Sequence, residues 1–390
     1  MGKKMFRISI LSATVVLGIE VGGLEFTVFK IAREFGMGSG AAGSLMSVYY
    51  AASAVAPLAA GGLSDRFGKK RMLLLSLLIC LAGTLICLSG STFLLIAVGV
   101  FCMGAAFGCI DTVTTAALSD FDSKNAAARI SSMQGILSIM CFAAPLLLQL
   151  LIRCTSAGYR MLFFLGAGVS AAAALITAKA EYPAGNAGGQ DGDSNSMKEI
   201  LAGFWSVVDR NMLLLLGAVF CYMFIEGGFA SMIDYYMTTC ARLPQWSAAA
   251  LGAFWLGMGV VRLLSRFYSR YEKQVLLAGF LLAGALLLLL PHVHTTVLLV
   301  VLHAALGAVC APIWPFLAGA LNRDYPRATG IMSSAVLLAG GLGSAISPSL
   351  FGFLIRLYGY PAGRWILILS AAAGFLLCTA AARLRAKREF

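Results

Sequence analysis

The chain has 390 residues, of which 60% are hydrophobic and only 12% charged, with a formal net charge of +12. Ordinary soluble domains carry about 45–50% apolar and about 25% charged residues, so this composition excludes a water-soluble globular protein and indicates an integral membrane protein. The basic excess alone would admit a nucleic-acid partner, but the cations are parcelled out between apolar runs, which excludes one.

Those runs, broken by Gly, Pro and charge clusters, lie at 8–32, 41–62, 72–90, 93–118, 130–152 and 160–180, then at 211–237, 246–269, 274–291, 295–321, 328–356 and 363–383. Each is close to the roughly 20 residues that cross a hydrocarbon core, so the pattern predicts an all-α protein with twelve membrane spans. The first run follows Lys3 and Lys4, but it holds Glu20 and Glu25 and lacks a small-residue cleavage site, so it is read as an uncleaved first helix. Residues 181–209 form the one long polar stretch, including Gly188-Gly189-Gln190-Asp191-Gly192-Asp193. Such a composition cannot bury a core, and the stretch is expected to be a flexible linker between a half at 1–180 and a half at 210–390.

Placing the amino terminus inside puts 22 of the 29 Lys and Arg residues on cytoplasmic segments and seven, Lys30 and Arg33 among them, on external ones. Positive-inside bias then sets both termini in the cytoplasm, with a plasma membrane, of the bacterial inner-membrane kind, as the expected location. An internal repeat supports the two halves. Ile19-Glu20-Val21-Gly22-Gly23 echoes Ile225-Glu226-Gly227-Gly228, Arg66-Phe67 echoes Arg266-Phe267, and Pro145 echoes Pro348, at offsets of 200 to 206 residues. Two parallel six-helix repeats with a central site near the bilayer midplane is a transporter arrangement.

Residues 61–71 read Gly61-Gly62-Leu63-Ser64-Asp65-Arg66-Phe67-Gly68-Lys69-Lys70-Arg71. This stretch resembles the loop between the second and third helices of the major facilitator superfamily. Gly61 permits close helix approach, Gly68 a tight turn, and Asp65 a charge-assisted latch that breaks when access changes sides. Asp65, Arg66, Gly61, Gly68 and Arg129 are therefore the expected gating residues. A narrower resemblance, to fucose/glucose permease-like members, rests on Phe254-Trp255-Leu256-Gly257-Met258 with Arg262, on Gly108 and Asp111, on Glu226-Gly227, and on Ala311-Pro312-Ile313-Trp314-Pro315. It implies a proton-coupled symporter of a small, sugar-like solute. The usual fourth-helix asparagine is replaced by Thr115, whose hydroxyl lacks the fixed donor–acceptor plane of a carboxamide.

Acids inside spans cost roughly 2.5–3.5 kcal/mol on insertion scales and usually face a cavity. Glu20, Asp111 and Glu226 are such acids, and no Lys or Arg is expected beside them at mid-span. They are assigned proton coupling, Asp111 foremost, with Glu20 and Glu226 also binding substrate. Glu25 follows Glu20 by five residues, a rotation of ~140° on a helix, so the two cannot face one cavity, and Glu25 is assigned to the outer gate or to pairing with a group from another helix. Trp314, Trp255, Tyr50 and Tyr222 join Thr115 as expected substrate contacts, Trp314 foremost because Pro312 and Pro315 break its helix where irregular backbone lines a cavity. The ten cysteines contain no CxxC pair and read as packing residues. No metal or cofactor is expected, the proton gradient being the energy source, and no nucleophile triad or phosphate-binding loop suggests an enzyme. The expected partners are a small-molecule substrate and the lipid bilayer, with the protein a monomer. Sodium coupling, a proton-driven exporter of drugs or metabolites, and a non-transporting receptor or chaperone on the same fold are the alternatives.

Overall fold

In a computed structural model, residues 2–121, 126–182, 208–325 and 329–388 are described, apart from the side chains of 58–66 and of a few other helical residues. The expected linker falls almost entirely outside the described residues, and so do the side chains of Gly61, Asp65 and Arg66. The described residues contain no strand. Their long helices are α1 (Gly2–Glu34), α2 (Ser39–Phe67), α3 (Lys69–Ser89), α4 (Phe93–Phe121), α5 (Ala126–Cys154) and α6 (Arg160–Lys179), then α7 (Arg210–Tyr235), α8 (Ser247–Leu263) and α9 (Glu272–Leu289). They end with α10, in two pieces (Thr296–Cys310 and Ile313–Asp324), α11 (Thr329–Tyr358) and α12 (Tyr360–Arg388).

Among the described residues 11 helical segments are long and apolar enough to cross a membrane. The helix α2 is rich in Gly, Ala and Ser, the residues that let backbones meet closely when no water drives association. It lies lengthwise between α4 and α11. Within the first group α1 packs on α5 and α6, and α3 on α4 and α6; within the second, α7 packs on α11 and α12, and α8 on the first piece of α10. The groups meet along two seams, α2 on α11 and α5 on α8, with α1 on α7 between them.

Both groups use the same device at a helix crossing. A Cβ at Gly104 of α4 would run into the backbone of Tyr49 on α2, its Cα at 2.9 Å. A Cβ at Gly307 of α10 would likewise run into the backbone of Phe254 on α8, with the amide nitrogen of Met258 at 3.2 Å. Gly68, between α2 and α3, has φ 87°, a left-handed conformation that glycine alone adopts without cost.

The end bearing the α1–α2, α5–α6, α7–α8 and α11–α12 connections is here termed upper, and the end bearing the chain termini lower. From mid-height to the upper end the groups are pinned together. Ser39 Oγ donates to the Gly352 carbonyl at 3.1 Å, the Ser349 amide to Ser47 Oγ at 3.0 Å, and Gln149 Nε2 to the Gln245 carbonyl at 2.7 Å. Lys30 of α1 pairs with Asp234 of α7 at 2.6 Å, and Asp234 is fully buried and also bonded by Ser247 at the start of α8. One apolar cluster runs continuously across both groups, whereas a second is confined to α1, α3, α4, α5 and α6 of the first. The upper end is closed.

Two outcomes follow from these contacts. Gly307→Ala forces α8 and α10 apart, an overpacking that costs about 1–3 kcal/mol; a lowered midpoint of thermal unfolding in detergent checks it, and an unchanged midpoint contradicts the close contact. Breaking a buried ion pair costs about 3–5 kcal/mol, so Asp234→Asn opens the upper end at least tenfold more often. The rate at which a membrane-impermeant thiol reagent labels a Ser47→Cys variant, with and without Asp234→Asn, measures this. Equal rates would show that the pair does not hold the end shut.

Candidate binding site

Glu25 leaves α1 about two turns above its midpoint and is 0% exposed. Tyr50 Oη of α2 donates to its Oε1 at 2.8 Å, and Trp255 Nε1 of α8 donates to its Oε2 at 2.8 Å. One carboxylate is thus held by a donor from each group. Among the described residues no cation is paired with it.

Glu20, on the other side of α1, is enclosed within the first group. Cys80 Sγ of α3 lies 2.7 Å from its Oε1 and 2.9 Å from Ser170 Oγ of α6. Its Oε2 and the Tyr49 hydroxyl are buried with no hydrogen-bond partner. The two acids do point apart, as a ~140° rotation requires, but it is Glu25 that reaches the seam between the groups. The expectation that Glu20 faces the centre and Glu25 the outer gate is corrected here: the rotation between two positions does not fix the helix's absolute orientation, and α1 turns Glu25, not Glu20, to the seam.

Glu226, near the midpoint of α7, accepts a hydrogen bond from Tyr222, one turn earlier on the same face. Arg262 Nη2 lies 4.0 Å from Glu226 Oε2 and 3.5 Å from the Tyr222 hydroxyl. The expectation that no cation accompanies the mid-span acids is corrected here. Arg262 belongs to the last turn of α8, and its long stem carries the guanidinium inward from the helix end. Trp255 and Arg262 are seven residues apart, two turns along one face of α8, so both point toward the centre.

The remaining expected contacts surround this cluster or lie away from it. Trp314 follows the break in α10 at Ala311 and Pro312; a Cβ at Gly340 of α11 would meet its ring at 2.6 Å, and Met223 of α7 lies in the same contact. Asp111 projects from the lower part of α4, half-buried, with Gln134 Nε2 of α5 at 3.2 Å from its Oδ1. Thr115 follows one turn lower on the same helix, half-buried. Arg129 stacks on the Phe121 ring at 5.3 Å at the lower end of the first group, remote from the cluster. The structure thus joins Glu25, Tyr50 and Trp255, and beside them Tyr222, Glu226 and Arg262, while Glu20 stands apart. Gln134 and the Lys30–Asp234 pair were not anticipated. An aspartate within the apolar run 211–237 was the available signal for the latter.

The arrangement is a polar cluster assembled from two helical groups. A sequence model described as the Major Facilitator Superfamily matches residues 10–273. No curated relative matches the chain significantly by sequence. Among solved structures the chain is similar to a mutant of the nucleoside transporter NupG, with TM-score 0.79 and 15% identity over 97% of this chain and 99% of that one. It is also similar to a mutant of the E. coli fucose:proton symporter FucP (TM-score 0.66, 17% identity, 96% and 98% covered) and to FucP in the outward conformation (TM-score 0.66, 18% identity, 97% and 99% covered). At these identities the likeness establishes the fold, and with the family match over more than half its length the chain belongs to the Major Facilitator Superfamily of multi-pass membrane transporters.

Proposed function

We propose that the protein is a proton-coupled symporter of a small neutral polar solute, sugar-like or nucleoside-like, driven by the proton gradient with no cofactor. The observation that carries this reading is the Glu25 carboxylate, hydrogen-bonded by Tyr50 from one group and Trp255 from the other. Positive-inside bias places the lower end in the cytoplasm, so the closed upper end is external. A bacterial plasma membrane and a monomeric protein suit this reading.

Opening the external side separates α1 from α8 and removes Trp255 from Glu25. A hydrogen bond to a charged group contributes about 1.5–3 kcal/mol, so its loss makes the bare anion costly and favours uptake of a proton from outside. Re-closure returns the donor, favours the anion, and sends the proton inward. Asp111 with Gln134, lower on the first group, stands on that path, and Thr115 lies just below it. Glu20, which has no cation and one unbonded oxygen, stays neutral on this reading and ties α1 to α3 and α6. Gly68 and Arg129, with Asp65, Arg66 and Gly61, belong to the inner gate. The relatives described as a fucose:proton symporter and a nucleoside transporter support the solute class.

The test uses purified protein in liposomes with an inward proton gradient, without sodium, and a panel of radiolabelled monosaccharides and nucleosides. Accumulation of a panel member is expected for the native chain. Glu25→Gln is expected to abolish accumulation while retaining counterflow within a few-fold. Accumulation that persists in Glu25→Gln would overturn the role of Glu25; accumulation driven only by sodium, or efflux accelerated by the gradient, would overturn proton symport.

A further inference from the structure

Of the two central carboxylates, Glu25 is sealed, but the Glu226 and Arg262 side chains are 12% and 24% exposed. Their nearest approach, 4.0 Å, is well beyond the 2.7–2.9 Å of a direct charge-assisted hydrogen bond. The gap is occupied on one side by a hydroxyl. Tyr222 donates to Glu226 Oε2 and lies 3.5 Å from Arg262 Nη2 as an acceptor. Among the described residues Glu226 Oε1 and the other guanidinium nitrogens have no further hydrogen bond, and none of them is counted among the sealed, unsatisfied atoms.

This pair presents an acceptor-only group beside a donor-only group. An ammonium ligand would satisfy Glu226 but offers nothing for Arg262 to donate to. A carboxylate or phosphate ligand would satisfy Arg262 but meets the charges of Glu226 and Glu25. A single hydroxyl can repeat what Tyr222 does on one side only. Two hydroxyls on adjacent carbons serve both groups at once, one donating to Oε1 and the other accepting from the guanidinium. The pair's own charges cancel, so a neutral ligand leaves no net charge behind in a medium where burying one is costly.

We infer that Glu226 and Arg262 are the specificity-determining element of the site and take a vicinal diol of a neutral solute. This rests on the reading of the protein as a transporter of small polar solutes, and it is tested without any gradient. Purified native protein is titrated at one pH with ribonucleosides and monosaccharides and with their matched deoxy analogues, each lacking one hydroxyl of the diol, and binding is read as thermal stabilisation. The diol member of a pair is expected to bind about tenfold or more tightly than its deoxy partner. In Glu226→Gln that ratio is expected to collapse toward one, a change that a purely structural role would not produce. Equal binding of diol and deoxy partners, or stabilisation by amines or carboxylates but by no diol, would overturn the inference. If Glu226→Gln fails to fold, the native ratio still decides. Diol selectivity without gradient-driven accumulation would sink proton coupling alone, whereas gradient-driven uptake indifferent to the diol would sink this inference alone.

Discussion

A carboxylate in a hydrocarbon interior must find donors or take a proton, and in this protein the donors for one such group come from two bodies. Glu25 is held by Tyr50 on its own side and Trp255 on the other. The seams along α2 with α11 and α5 with α8 bring those donors together, and the Lys30–Asp234 pair above them keeps the bodies in register. The rest of the fold serves to make that meeting geometrically reproducible. Closely crossed helices within each body, α2 with α4 and α8 with α10, carry glycine where any Cβ would meet backbone.

The helices were legible from hydropathy because a bilayer leaves little choice: a run of about 20 apolar residues that must satisfy its own backbone becomes a helix. Among the described residues each of the twelve runs is a long helix, α10 in two pieces, with boundaries extended mainly where polar ends project beyond the apolar stretch, as in α1 and α2. The break in α10 was legible as well, since Pro312 and Pro315 cannot both sit in unbroken helix. The loop motif at 61–71 carried the family resemblance, and the family match covers that stretch.

The site was legible only in part. Hydropathy marks which acids lie in spans, but it does not fix the absolute rotation of a helix about its own axis. Glu20 and Glu25 were therefore separable, but the choice of Glu20 as the central acid fell on the wrong one of the two. Arg262 misled for a different reason. Its Cα is at the lower end of α8, where a sequence reading counts it as an orientation signal, yet its side chain reaches inward toward Glu226. A long, flexible cation at a span end has both options, and only the facing helix decides between them. The Lys30–Asp234 pair illustrates the same limit: Lys30 reads as an external charge until a buried aspartate on another helix is placed against it.

The helix α8 has 17 residues and meets three separate parts of the molecule. Ser247 at its start bonds Asp234 of the ion pair, Trp255 at its middle bonds Glu25, and Arg262 at its last turn faces Glu226. At 100° per residue these three positions fall within a stripe about 80° wide and ~22 Å long. The helix therefore links three levels like a camshaft: a single tilt or turn of one rod bears on the seal, the acid and the Glu226–Arg262 pair in the same motion. No chain of side-chain rearrangements is needed to carry news from one level to the next, because the rigidity of a hydrogen-bonded helix keeps the three in phase.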